Sequence, residues 1–197
     1  MNCLLVFCHP SGESYNAALA AAARDAMAAA GHEVRLVDLY RDRFEPVMGL
    51  EEWRNYHTAE LNKRPVPDEV ADLDWAEMLV FVYPTWWFGL PAMLKGWLDR
   101  VILPHVAFDI PTETRQARGK LHNIRRVAVI TTCGASWLKS KLVGEPGRKT
   151  LLRSFRILCH PRCRTLYLAL YNMDTVSLQK RQAHLEKVSR RLARFGS

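Results

Sequence analysis

Short apolar runs recur along the chain, and most are followed by a polar turn and then a stretch with helical spacing. The runs fall at 3–8, 34–39, 78–82, 126–132 and 164–170, and each has the length of a strand. The intervening stretches read as helices. Residues 15–30 are rich in alanine, with Leu19 and Met27, and Gly31 follows as a helix-ending glycine. A helix over 91–102 has Pro91 in its first turn. Leu151, Leu152, Phe155 and Leu158 form a helical stripe, and a charged helix over 175–195 carries Leu178, Leu185, Val188 and Leu192. Residues 40–76 read as irregular, apart from a short helix around 50–57, and 103–125 as a long connection. Five strands alternating with helices predict an α/β fold with a doubly wound, five-stranded parallel sheet and helices on both faces. The half-alternating run at 34–39 predicts an edge position. With no repeat, low-complexity tract or linker, residues 1–197 read as a single domain.

Composition narrows the class of protein. Hydrophobic residues make up 49% and charged residues 24%, as in ordinary soluble domains. No apolar run has the length of a membrane span, so no membrane insertion is expected. The first residues pass straight into a strand pattern without the basic start of a secretory signal. Five cysteines without framework spacing suggest a reducing compartment, and a cytoplasmic protein is expected. The net charge of +8 is unevenly spread. Residues 1–110 hold 9 Lys+Arg against 16 Asp+Glu, whereas residues 111–197 hold 19 against 4. The basic residues are dispersed and match no nucleic-acid motif, so no nucleic acid is expected as a partner. A basic half that attracts an anionic small molecule and simple solvation both remain open.

The chemistry concentrates in two turns. His9-Pro10-Ser11-Gly12-Glu13-Ser14-Tyr15-Asn16 leaves the first strand and opens a helix. It is neither a glycine-rich dinucleotide fingerprint nor a P-loop. Its hydroxyls, amide and imidazole suit a phosphate held at a helix start, with Ser14 or Asn16 as cap. Serving only as a cap is the plain alternative for Ser14. The second turn, Pro84-Thr85-Trp86-Trp87-Phe88-Gly89, sets three large aromatics between a strand and a helix. In a sheet of order 2-1-3-4-5 the two turns are neighbours at the switch point. A phosphate at one and a flat ring at the other is what a flavin nucleotide needs. Core packing or a subunit interface is the plain alternative for the aromatics. Cys133-Gly134-Ala135-Ser136 after the fourth strand closes the far side with small residues.

The run from Pro84 to Trp97, the His9…Ser14-Tyr15-Asn16 turn and Thr131-Thr132-x-Gly134 together resemble the NAD(P)H:quinone oxidoreductase family, whose fold is flavodoxin-like. The resemblance covers most of residues 1–135. It implies that His9, Ser14, Tyr15 and Asn16 hold the flavin phosphates. It also implies that Pro84, Thr85, Trp86, Trp87 and Phe88 line the ring, with Cys133 and Gly134 flanking it. Trp87, Phe108 and Ile110 would form the substrate pocket. The implied activity is ping-pong hydride transfer from NAD(P)H through FAD, or FMN, to a quinone-like acceptor. Relatives act as homodimers. Some are ancillary flavin-binding subunits of potassium-efflux transporters, which is the alternative role.

Four positions depart from the family's pattern. Cys133 stands where the first of two glycines is usual, and Ile110 where an aromatic is usual. Lys139 and Glu145 occupy the places of a tyrosine and a histidine expected near the substrate, so no side-chain acid or base is assigned. Cys159-His160-Pro161-Arg162-Cys163 has no second cysteine pair, and no metal is expected there.

Overall fold

The computed structural model describes residues 1–196. Strands β1 (Asn2–Phe7), β2 (Glu33–Asp38) and β3 (Met78–Thr85) lie on one side of a five-stranded parallel sheet. The two-residue strands β4 (Phe108–Asp109) and β5 (Arg118–Gly119) form a separate small ladder. Strands β6 (Arg126–Cys133) and β7 (Arg164–Leu170) complete the sheet, in the order β2-β1-β3-β6-β7. This is the 2-1-3-4-5 order read from the sequence. β2 lies at the edge and is only half-buried, as its mixed pattern implies.

Alternate residues of the inner strands feed two cores. Cys3, Leu5, Phe7, Met78, Val80 and Val82 pack on one face with Leu19, Ala23 and Met27 of α1 (Tyr15–Ala29) and Val188 and Leu192 of α7 (Leu178–Gly196). Leu4, Val6, Leu79, Phe81 and Tyr83 pack on the other, with Leu73 of α3 (Pro67–Trp75) and Leu94 and Trp97 of α4 (Ala92–Val101). A strand buried on both sides needs an unbroken apolar run, which is why β3 is so legible. Gly96 of α4 is required by a close approach: a Cβ there would lie 2.2 Å from the Pro46 carbonyl oxygen. The buried Arg100–Glu52 ion pair, Nε to Oε1 at 2.8 Å, fastens α2 (Leu50–Arg54) beside it.

Three expectations are corrected. Residues 40–76 are not irregular throughout, since α3 forms with Pro67 in its first turn and Asp68 and Glu69 beside it. The stripe at 151–158 is not an α-helix. It follows α5 (Trp137–Val143) and α6 (Pro146–Lys149) as a π turn over Thr150–Ser154 and a 3₁₀ turn over Phe155–Leu158. That winding still buries Leu151 and Phe155 against the sheet. Pro91 precedes α4 as its N-cap instead of lying in its first turn.

The strand register creates the feature that matters most. Phe7, the last residue of β1, pairs with Val82, whereas β3 stays paired with β6 as far as Thr85–Cys133. Tyr83, Pro84 and Thr85 therefore have a strand neighbour on one side only. Pro84, with no N–H to donate, is tolerated in a central strand because its β1 side is unpaired. The result is a notch at the carboxyl edge, where β1 and β3 lead in opposite directions.

Candidate functional site

Two turns border the notch. The first is tied down by its own hydrogen bonds. Ser11 N–H donates to His9 Nδ1 at 3.0 Å, and Glu13 N–H donates to Ser11 Oγ at 3.2 Å. Ser14 caps α1, its Oγ accepting from Ala17 N–H at 3.1 Å and its carbonyl from Ala18 N–H at 3.1 Å. Among the described residues the N–H groups of Tyr15 and Asn16 find no protein acceptor, so the first turn of α1 presents two adjacent donors.

The side chains of Tyr15 and Asn16 are engaged elsewhere. The Tyr15 hydroxyl donates to the Arg181 carbonyl at 2.8 Å and lies 3.3 Å from His184 Nδ1, joining α1 to α7. Burial lowers the His184 pKa to about 4, so that ring is neutral near pH 7. Asn16 is buried and donates to Thr132 Oγ1 at 3.0 Å, while its Oδ1 has no protein partner. Of the four residues expected at the tail, His9 and Ser14 contribute side chains to the turn and Tyr15 and Asn16 contribute backbone N–H groups.

The second turn is strained. Gly89 N–H donates to the Trp86 carbonyl at 3.0 Å, and the two residues between, Trp87 and Phe88, have φ of +48° and +60°. Positive φ at both central positions marks a primed hairpin turn, which glycine and asparagine normally occupy. Bulky residues there cost on the order of 1 kcal/mol each and cluster at ligand sites. The Trp87 side chain is almost fully in solvent, with 96% of the residue accessible. Trp86 is also exposed, its ring centroid 6.4 Å from that of His9, which brings the two turns together. The N–H groups of Trp87 and Phe88 donate to no protein group among the described residues.

Cys133 and Gly134 close the far side. Cys133 is buried and its thiol donates to Thr85 Oγ1 at 3.2 Å; burial raises its pKa, so it is a thiol and not a nucleophilic thiolate. Thr85 Oγ1 also lies 2.9 Å from Thr131 Oγ1. Met173 N–H donates to the Cys133 carbonyl at 2.9 Å, and Asn172 N–H to that of Ala135 at 3.1 Å, so the turn after β7 holds this one in place.

Two pocket residues, Phe108 and Ile110, lie in the segment that follows α4, whereas the aromatic turn precedes it. Phe108 pairs with Gly119 and forms a bridge with Pro104, past the C-terminus of α4, whereas Trp87 precedes its N-terminus. The ten residues of α4, a helix about 15 Å long, lie between the aromatic turn and Phe108 along the chain.

Residues 141–171 add a cluster that the motifs did not reveal. Glu145 is buried and left-handed, with φ +48°. Its Oε2 accepts from Lys141 Nζ at 2.5 Å and Arg148 Nη1 at 2.8 Å, and its Oε1 from the Tyr171 hydroxyl at 2.6 Å. Burial alone would push this carboxyl up; the hydrogen bonds from Lys141, Tyr171 and Arg148 outweigh it and hold the pKa at about 2. The i, i+4 and i, i+3 spacing of Lys141, Glu145 and Arg148 was a readable signal, but Tyr171 comes from another strand end. Among the described residues no group of three or more His, Cys, Asp or Glu side chains converges as a metal site.

An open parallel sheet with its loops gathered at a β1/β3 switch point defines a class, and a family model described as flavodoxin-like fold matches residues 1–192. The chain belongs to that family. Among curated proteins it is 34% identical over 149 residues to an uncharacterized NAD(P)H oxidoreductase of Haemophilus influenzae, covering 73% of this chain and 70% of the relative. For eight of the curated relatives it matches, the alignments span between 43% and 70% of their length. Among solved structures, Smu.1420 of Streptococcus mutans superposes with a TM-score of 0.84 at 26% identity, covering 98% of this chain and 100% of that one. The NAD(P)H:quinone oxidoreductase of Methanothermobacter marburgensis gives 0.81 at 25% identity, covering 100% and 98%.

Proposed function

We propose that the chain is a flavin-dependent NAD(P)H oxidoreductase that passes two electrons to a quinone-type acceptor. The observation that carries this reading is the notch itself, bordered by free N–H donors on one side and solvent-exposed aromatics on the other. A flavin nucleotide fits the residues present. The Tyr15 and Asn16 N–H groups and the Ser11 hydroxyl suit phosphate oxygens at a helix start. The Trp86–Phe88 turn offers a flat wall and two unspent N–H donors. The orphaned Oδ1 of Asn16 is an acceptor still lacking a donor. The relatives' names support the choice of NAD(P)H as reductant and a quinone as acceptor.

The flavin, when bound, would supply hydride acceptance and donation. The chain's own part is to hold and shield. Pro84, Thr85, Trp86, Trp87 and Phe88 would form the wall against the ring. The Trp87 and Phe88 N–H groups would give fixed donors to its polar edge. Cys133 and Gly134 would bound the opposite side, with Thr85 locked by its contacts to Thr131 and Cys133. Reductant and acceptor would use the same open face in turn, the ping-pong order. FAD is preferred to FMN on the strength of the motif resemblance. A homodimer completes the picture: Phe108 and Ile110, which follow α4 whereas Trp87 precedes it, would close the pocket of a second subunit.

Titration of apo-protein with FAD and FMN, followed by anaerobic reduction with NADH or NADPH, tests this reading. Saturable binding and bleaching of the visible band are expected, then re-oxidation by a benzoquinone. Failure to bind either flavin would overturn it.

A further inference from the structure

The Glu145 cluster is not used by the reading above, although it shares a wall with the ring site. Glu145 and Arg148 line a narrow cleft together with Tyr83, Thr85, Phe88 and Cys133. We propose that Arg148 and Lys141, clamped by Glu145, form a cationic subsite that stabilises the negative charge a flavin's pyrimidine edge acquires on reduction. This inference rests on the flavin assignment and goes beyond it by giving the site a charge sensor.

Glu145 is held under backbone strain. A glutamate at positive φ immediately before a proline is disfavoured twice, by its own Cβ and by the ring that follows. The fold nevertheless holds it there, and all three of its hydrogen bonds are directed at the two cations and one phenol. One ammonium and one guanidinium against one carboxylate leave the cluster with a net charge of +1. Arg148 is further fixed by its guanidinium carbon lying 4.8 Å from the Tyr167 ring centroid. Its position is therefore set from two directions, although 43% of its side chain remains in contact with solvent.

The surroundings add to the positive potential. Arg148 also borders a second, polar cleft lined by Lys149 and Arg153, in which Glu145 is the sole acid. The carboxylate nearest the ring site from another direction is Asp174, whose Oδ2 would meet a Cβ built on Gly134 at 2.6 Å. Asp174 and Arg148 are both exposed, so water screens each of them, and of the cluster only Glu145 is buried. A preorganised cation beside a ring that gains charge favours the reduced state over the oxidised one, whereas it does little for the binding of neutral oxidised ring. Glu145 is thus a positioning residue and Arg148 the group that acts.

Sulfite reports on this charge without turnover. Its lone pair forms a bond to flavin N5, and the displaced electron pair moves to the pyrimidine edge, bleaching the visible band. FAD-loaded wild type, R148Q, R148K and K141Q would be compared for FAD affinity and for sulfite affinity. R148Q should bind oxidised FAD within about threefold of wild type but bind sulfite roughly tenfold more weakly, a fraction of what Coulomb's law allows for a charge at contact. R148K should recover most of the loss, and K141Q should show a smaller loss in the same direction. Unchanged sulfite affinity in R148Q and K141Q, with FAD bound, overturns the subsite and leaves the flavin reading intact. Loss of FAD binding by R148Q also overturns it, because Arg148 would then be a ligand of the oxidised cofactor. Wild type that binds no flavin instead removes the functional reading beneath it.

Discussion

Two strained places flank the notch, and they are held in opposite ways. Glu145 has φ +48°, is buried, and is compensated within the fold by Lys141, Arg148 and Tyr171. Trp87 and Phe88 have φ +48° and +60°, yet one hydrogen bond, Gly89 N–H to Trp86 carbonyl, closes their turn and the indole of Trp87 meets only solvent. Strain that the protein itself offsets serves to fix a side chain. Strain at an indole that meets only solvent points to a bound ligand as the missing partner.

The sharpest way to break this contrast is at Glu145. E145A should destabilise the protein by about 3 kcal/mol in urea unfolding, because two partly shielded cations lose their common anion. The pH dependence follows from the same carboxyl. Its folded value of about 2 lies below the ordinary 4.5, so its contribution is full above pH about 4.5 and is lost as pH falls toward 2. Wild-type stability should therefore fall across that interval by about 3 kcal/mol more than that of E145Q, which has no carboxyl to protonate. Equal acid sensitivity of the two proteins would remove the compensation argument.

At the aromatic turn the sign reverses. The W87G variant should raise the stability of apo-protein by about 1 kcal/mol in thermal unfolding while weakening flavin binding at least about tenfold. A loss of apo stability would show that the turn is held by the fold after all. The smallest effect is expected at the relaxed first turn. S14A should cost about 1 kcal/mol of stability through the lost cap and weaken flavin binding only a few-fold.

How much of this was legible follows the physics of each element. The strand order and the 78–97 segment could be read because buried parallel strands are unbroken apolar runs and because Pro91 marks a helix start. α3 was missed since only Val70 and Leu73 of its nine residues are buried, too short a stripe to register as a period, although Pro67-Asp68-Glu69 was an available start signal. α5 was missed for the opposite reason. Trp137, Leu138, Leu142 and Val143 are all exposed and Ser140 alone is buried, so its apolar residues advertise no inward face. At the site, the sequence placed the two turns together but could not show that Tyr15 and Asn16 spend their side chains on α7 and Thr132. Side-chain commitments across 116 and 166 residues are tertiary facts.

β3 continues for three residues after β1 has ended, and this gives the sheet edge a stair. A molecule resting there meets the end of one strand as a tread and the flank of the next as a riser, so its tail and its disc are sorted by height before any side chain is consulted. Extending the first strand by three residues would level that stair. Both turns would keep their shape, and neither would have anything left to hold.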